Sequence, residues 1–347
     1  MFERDSITLH LKGGVGNQLF QATAGLFFAQ KLGKELQIRE DLAGQTSNLF
    51  AWSLLDQEKF KVDSRLPRTK KEILTGVWRE GRGGGGLDLL NLFLYPTPPE
   101  VVHESKWRER KLESVRGALG ETIFDPRDGN YNEIIFRDFN YARRIKGYFQ
   151  TRIFWSNLKE LLDISNANVQ IFNCQNFELS VRNKLSEMEL SLLKTLTNES
   201  SQYVGLHVRR GDFCSNAKTY GLLGKKYYIS MLKKMIIEFP NLRVLIFSDS
   251  TTESVLIGQE IFKEFGLKVI DLSYLDDEKT FFFMMQLQFF ILSNSSFSYW
   301  AITLGRAKRV IAPFPWFRSF KFSESIYDPL WTLGDSIWTE NIENSRI

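Results

Sequence analysis

The sequence predicts an α/β protein of two doubly wound units facing a cleft. Three observations carry that reading. A strand, a glycine turn, a helix and a second strand follow one another near the start of the chain. Strands and helices alternate again through the second half, as a doubly wound sheet requires. Between these regions an apolar, β-branched run breaks into a charged turn, Val204-Gly205-Leu206-His207-Val208-Arg209-Arg210-Gly211-Asp212-Phe213. Ligands of open α/β sheets sit outside the carboxyl ends of the strands, so both turns are candidate binding points.

In chain order, residues 7–12 alternate apolar and polar and read as a short strand. The turn Gly13-Gly14-Val15-Gly16 follows, then a helix over 17–32 stopped at Gly33, and a strand over 36–39. This opening also fits a dinucleotide fingerprint, with Gly14 and Gly16 as its first glycines and Glu40 as a ribose-binding acid. The third glycine position is Leu19, however, and the loop carries the amides of Asn17 and Gln18. They stand at a helix N-terminus, where backbone N–H groups favour an anion. Asn17 is expected to cap the helix and to touch the ligand.

Residues 41–140 are less legible. Composition makes 79–86 a mobile glycine-rich loop and 95–99 an extended proline segment, with basic surface runs at 65–71 and 106–116. The stretch Ile145-Lys146-Gly147-Tyr148-Phe149-Gln150-Thr151 reads as a strand leading to a helix over 154–162. Gln150 at its end either faces the cleft or caps a turn. A helix over 186–196 opens on Ser186-Glu187-Met188-Glu189, which resembles a capped start. The polar turn at 197–201 then divides the chain into domains 1–196 and 197–330, with a tail over 331–347.

In the second unit the pattern gives a helix over 225–239, packed through Tyr228, Met231, Leu232, Met235 and Ile236. A buried strand over 244–247 ends in Ser248-Asp249-Ser250, where Asp249 could cap the next helix, 255–265, closed by Gly266. A strand over 268–272 and a helix, strand and helix start within 281–301 complete the unit. At the charged turn, an arginine at a strand end offers a rigid five-donor fork suited to phosphate oxygens. Strand alternation puts His207 and Arg209 on the ligand side and turns Arg210 inward, paired to Asp212.

Composition narrows the function classes. The net charge of +4 is a mild basic bias, far from a nucleic-acid footprint but compatible with a phosphorylated substrate or an anionic membrane. Two cysteines, Cys174 and Cys214, make neither a disulfide framework nor a zinc pattern, which points to a reducing compartment. The start, Met-Phe-Glu-Arg-Asp-Ser, lacks the form of a signal peptide. The longest apolar run, 281–292, is interrupted by Gln286 and Gln288 and is too short to span a bilayer.

HVRRGDF resembles the HxRRxD signature of inverting fucosyltransferases that use GDP-fucose. Two further segments are similar to the α-1,2-fucosyltransferase family, Gly13-Gly14-Val15-Gly16-Asn17-Gln18-Leu19-Phe20-Gln21 and Ser293-Asn294-Ser295-Ser296-Phe297-Ser298-Tyr299-Trp300, and all three stand in the family's order. The resemblance implies two Rossmann-like domains in the GT-B arrangement, the first on the acceptor side and the second binding GDP-fucose. It implies transfer of L-fucose to the 2-hydroxyl of a terminal β-galactose, with inversion.

In that frame Arg209 binds the β-phosphate and stabilises the leaving GDP, and Asn17 joins it on the catalytic side. Gly14, Gly16, Asn17 and Gln18 close over the diphosphate or the fucose. His207 and Asp249 read guanine or ribose, and Ser295, Ser296 and Phe297 form a phosphate nest. Arg210 and Asp212 hold the loop as a buried pair. Spacing does not choose a general base among Glu40, Asp41, Glu80 and Asp212.

The sequence shows no DxD motif and no carboxylate pair placed for a divalent ion, so no metal or cofactor is expected. The expected partners are GDP-fucose and a galactose-terminated glycan, with no nucleic acid. The expected setting is a bacterial-type cytoplasmic enzyme of surface-polysaccharide assembly, peripheral to the inner membrane. Two rivals stand beside this reading: a non-catalytic nucleotide-sugar or glycan-binding module, and an NAD(P)-dependent dehydrogenase built on the glycine turn.

Overall fold

The structure, a computed structural model, describes residues 6–40, 54, 61–62, 121–126, 131, 139, 142–161, 172–319 and 324–339. The expectations for 65–71, 79–86, 95–99 and 106–116, and the candidate bases Asp41 and Glu80, lie outside these residues.

The first unit contains β1 (Ser6–Leu11), α1 (Val15–Lys31), β2 (Glu35–Glu40), β3 (Lys61–Val62), β4 (Glu121–Phe124) and β5 (Ala142–Lys146). Its sheet runs β3-β2-β1-β5-β4, and every pairing is parallel. The helices α2 (Ile153–Leu161), α3 (Cys174–Arg182) and α4 (Glu187–Glu199) follow. Ser186 and Glu189 cap α4 reciprocally, the box that the sequence resembles.

The second unit adds β6 (Tyr203–Val208), the short helices α5 (Gly211–Ser215) and α6 (Ala217–Tyr220), α7 (Lys225–Glu238), β7 (Arg243–Ser248) and α8 (Thr251–Phe265). Then come β8 (Val269–Asp271), α9 (Asp277–Met285), β9 (Phe289–Ile291), α10 (Ser296–Leu304), β10 (Arg309–Phe314) and β11 (Thr332–Asp335). The sheet order is β11-β10-β9-β6-β7-β8, again parallel throughout. The expected two-unit α/β fold is therefore present. Strand β6 is buried along its whole length, as a central parallel strand must be.

Within the segment expected as a tail, Thr332–Asp335 is part of the second sheet. β11 pairs with β10 from Ile311↔Thr332 to Phe314↔Asp335, and the Thr339 amide donates to the Leu222 carbonyl at 2.7 Å. Its few apolar residues hid a strand that needs burial on one side only.

One apolar core runs through both units. Phe20 of α1 packs on Tyr299 and Trp300 of α10, with ring centroids 4.7 and 5.1 Å apart. Phe172 and Trp155 close on the same Trp300 at 5.4 and 6.4 Å. Aromatic pairs of this kind add about 0.5–1.5 kcal/mol each beyond the area they bury. The helices cross closely because Gly16 has no side chain: a Cβ there would lie 2.2 Å from the carbonyl carbon and oxygen of Ser296.

That contact makes a sharp expectation. Gly16→Ala costs about 1–3 kcal/mol of unfolding free energy from overpacking, despite alanine's better helix propensity. Gly14→Ala meets no atom within 4 Å, so it costs less than about 1 kcal/mol. Denaturant unfolding of the two variants checks the difference.

Candidate active site

Turns from both sheets meet beside the α1–α10 crossing. In the first unit Gly14 is the N-cap of α1, and no side chain caps the helix. The expectation that Asn17 caps it is corrected: the helix begins two residues earlier, which puts Asn17 inside the first turn. Its Oδ1 accepts from Gln150 Nε2 at 2.5 Å, tying the end of the Gly147–Gln150 turn to α1. Gln150 therefore faces the meeting point of the units. Gln18 turns back, donating from Nε2 to the Gly13 carbonyl at 2.8 Å.

Gln21, given no role by the sequence, is fully buried and clamps the turn. Its Oε1 accepts from the Lys12 amide at 2.9 Å and its Nε2 donates to the Lys12 carbonyl at 3.0 Å. A glutamine on the buried face of an apolar helix was the available signal. Gly14 is exposed and open, whereas Gly16 is filled by the Ser296 and Phe297 backbone and serves the helix crossing. The close approach that a second glycine gives a pyrophosphate in a dinucleotide fold is taken here by protein.

In the second unit β6 delivers His207, Arg209 and Arg210. His207 is buried, its Nδ1 2.8 Å from Ser293 Oγ and its ring 6.1 Å from that of Phe297. Burial, with the nearby Arg209 charge, pushes its pKa down to about 3, so the imidazole is neutral. Arg209 pairs with Asp212 at 2.5 Å and with Asp249 at 2.6 Å, and lies over the Phe213 ring at 5.6 Å. Its Nε is buried without a hydrogen-bond partner.

Arg210 does turn inward, but its partner is Glu253 and not Asp212. The Glu253 carboxylate, in the first turn of α8, accepts from Nε at 3.1 Å and from Nη2 at 2.9 Å. The same guanidinium donates to the carbonyls of Leu223 and Arg209, at 3.1 and 2.9 Å. Asp212 lies three residues beyond Arg209 at the exposed start of α5, so it meets the outward arginine.

Asp249 is not a helix cap either. Ser250 caps α8, accepting from the Glu253 amide. Asp249 instead accepts from the Arg210 amide at 2.7 Å and pairs with Arg209 through its other oxygen. Gly211, at φ +28°, lets it approach: a Cβ there would lie 2.6 Å from Asp249 Oδ2.

Ser295 caps α10, its Oγ accepting from the Phe297 amide at 3.3 Å. Ser295 is buried, while Ser296 and Phe297 are half-buried at the crossing. Asn294 donates to the Tyr220 carbonyl at 2.9 Å. Asp277, at the start of α9, also belongs to this neighbourhood and was not anticipated. Desolvation raises its carboxyl pKa against the pull of Arg209, and Asp276 and Asp249 add to the rise. Among the described residues, no group of three or more His, Cys, Asp or Glu is placed to hold a metal ion. Among them no helix is long and apolar enough to cross a membrane.

Residues 155–334 match Glycosyl transferase family 11. The chain is 26% identical over 337 residues to the "Alpha-1,2-colitosyltransferase" of Escherichia coli, covering 93% of this chain and 96% of the relative. It is 23% identical to the "O-antigen biosynthesis glycosyltransferase WbnK" of Escherichia coli, covering 88% and 93% respectively. Among solved structures it resembles the fucosyltransferase NodZ from Bradyrhizobium, with 14% identity and a TM-score of 0.44 over 92% of this chain and 97% of that one.

Two outcomes follow from the geometry. Glu253→Ala strands the buried Arg210 charge and costs about 1–3 kcal/mol, below the full buried-pair value because the glutamate is partly exposed. Asp212→Ala costs less than about 1 kcal/mol, and chemical denaturation separates the two. His207 binds a proton more weakly folded than unfolded, so its contribution to stability is lost as pH falls from about 6.5 toward 3. Stability measured across that window falls by up to about 1.4 kcal/mol per pH unit through this group, and His207→Asn removes that part of the slope.

Proposed function

The chain belongs to glycosyl transferase family 11, and from that premise we propose that it transfers L-fucose from GDP-fucose to the 2-hydroxyl of a terminal β-galactose. Transfer inverts the anomeric centre and needs no divalent ion. The observation that carries the reading is Arg209: a guanidinium just past the end of β6, with a buried Nε lacking a partner, on the strand that pairs with β9, after which α10 starts. The α-1,2 linkage is supported by the name of the colitosyltransferase relative.

In the reaction, the bond from the anomeric carbon to the β-phosphate oxygen breaks, and its electron pair leaves with GDP. A new bond forms from the galactose 2-oxygen to the opposite face of that carbon, and the hydroxyl proton passes to solvent water. Negative charge grows on the diphosphate while the sugar becomes oxocarbenium-like, so fixed donors aimed at the phosphate lower the barrier. Arg209 is the principal donor in this account. The first-turn amides of α1 and α10, with the Ser295 and Ser296 hydroxyls, complete the anion cradle.

Asp212 and Asp249 already neutralise Arg209, so a bound diphosphate displaces at least one of them. His207, neutral and held by Ser293, and Asp249 meet the nucleoside. Gly14, Asn17 and Gln18 face the sugar from the first unit, which takes the acceptor side, while residues from 197 onward hold the donor. Arg210, fixed by Glu253, keeps the Arg209 carbonyl and hence its side chain in place. A cytoplasmic setting, with the acceptor presented at the inner membrane, suits a surface-polysaccharide enzyme.

Arg209→Ala lowers kcat by about 10²–10³-fold. Chelator leaves the wild-type rate unchanged. Steady-state assays with GDP-fucose, with and without EDTA, test both statements; a rate that vanishes with EDTA, or an Arg209→Ala enzyme at full speed, overturns the reading.

A further inference from the structure

Strand alternation gives the second sheet two different faces. Val204, Leu206 and Val208 of β6 pack with α7 and α8, whereas Phe290, Leu292 and the apolar residues of α9 and α10 belong to the core shared with the first unit. Helix α7 therefore lies on the face turned away from the first unit. It buries Tyr227, Tyr228, Met231, Leu232 and Met235. Opposite them, at helical spacing, stand Lys226, Lys233 and Ile237, with Lys234 at the margin, and all four are exposed.

The positive charge on this side has no counter-charge of its own. α7 carries one carboxylate, Glu238, and Arg309 engages it at 2.8 Å. Glu260, on the neighbouring α8, lies 3.7 Å from Lys225. Among the described residues no carboxylate pairs with Lys226, Lys233 or Lys234. The same side carries bare apolar groups. Leu330 is 85% and Ile237 79% exposed, the highest values among the large apolar side chains described. The two stand at one end of the sheet: Glu238 holds Arg309, whose Nη1 donates to the hydroxyl of Thr332, two residues beyond Leu330.

Lysines beside isolated apolar side chains match anionic headgroups lying over acyl chains. They do not match a second copy of the chain, because a two-fold contact through α7 would set lysine against lysine. We propose that the outer side of α7, with Leu330, docks the protein on an anionic lipid surface. The lysines lie among the headgroups, and Ile237 and Leu330 reach the acyl boundary. The helix starts beside the candidate site, two residues after Leu223, whose carbonyl holds the Arg210 guanidinium. Docking by α7 thus keeps the rim of that site near the membrane. The inference goes beyond the proposed reaction and does not depend on it.

The test is co-sedimentation of the full chain with vesicles of phosphatidylcholine, alone or mixed equally with phosphatidylglycerol. The wild type binds the mixed vesicles, ignores the neutral ones and lets go as salt is raised. The triple variant Lys226→Gln, Lys233→Gln, Lys234→Gln binds the mixed vesicles about tenfold or more weakly. Ile237→Ser with Leu330→Ser weakens binding by about tenfold as well. A control with the same change of charge elsewhere, Lys31→Gln, Lys184→Gln, Lys194→Gln, stays within about twofold of the wild type.

Binding is read without turnover, so the result stands whether or not the protein transfers fucose. A wild type that ignores the mixed vesicles, or binds both kinds equally, overturns the proposal. So does a triple variant no weaker than the control. A wild type that ignores lipid but forms a dimer in solution, dissolved by the triple variant, assigns the face to a second copy and also overturns it.

Discussion

The crossing of α1 over the start of α10 is the constraint on which the rest of the molecule depends. Gly16 lets two helix backbones touch, and the aromatic cluster of Phe20, Trp155, Phe172, Tyr299 and Trp300 holds them there. The crossing brings two helix N-termini together, each carrying about half a positive charge. Arg209 arrives at the same end of the second sheet. Such a concentration of positive potential is costly by itself, and Asp212 and Asp249 offset it at the guanidinium. In the proposed function the site is an anion receptor whose own carboxylates compete for its donors. Because the units share one apolar core, opening them about this seam would expose large aromatic faces. Motion that admits substrate therefore belongs to the turns more than to the seam.

Much of this was legible in the sequence, for identifiable reasons. Periodicity gave α7 to within a residue, since it buries one apolar stripe, whereas α1 is buried nearly all round and α8 starts a turn before its expected first residue; Gly266 ends α8 in the left-handed conformation. The capping box of α4 is local chemistry and needs no tertiary context. The inward turn of Arg210 followed from strand alternation. Its partner did not, because Glu253 is 43 residues away and only the β6–β7 pairing and the start of α8 bring it close. Asp212 is nearer in sequence but lies on the exposed side.

The roles of the glycines divided for the same kind of reason. Gly14 and Gly16 look alike in a glycine-rich turn, yet one faces open space and the other a partner helix that no local pattern shows. Asn17 stands next to a helix start that composition places two residues late, so a capping residue became a bridge to Gln150. β11 is short and half-exposed, and its identity comes from β10. Tyr148 lies in the 145–151 stretch read as a strand, and that reading gave it no role. Its place is set by Asp125 and by two unusual backbone angles, which only the folded chain displays.

In the proposed reaction one guanidinium changes partners. A crystal structure of the protein with GDP tests this most directly. The expected complex has the β-phosphate against Arg209, with the Asp212 or Asp249 pairing broken and the phosphate oxygens reaching the first turn of α1 or α10. A diphosphate seated elsewhere, with both of those ion pairs intact, would contradict it.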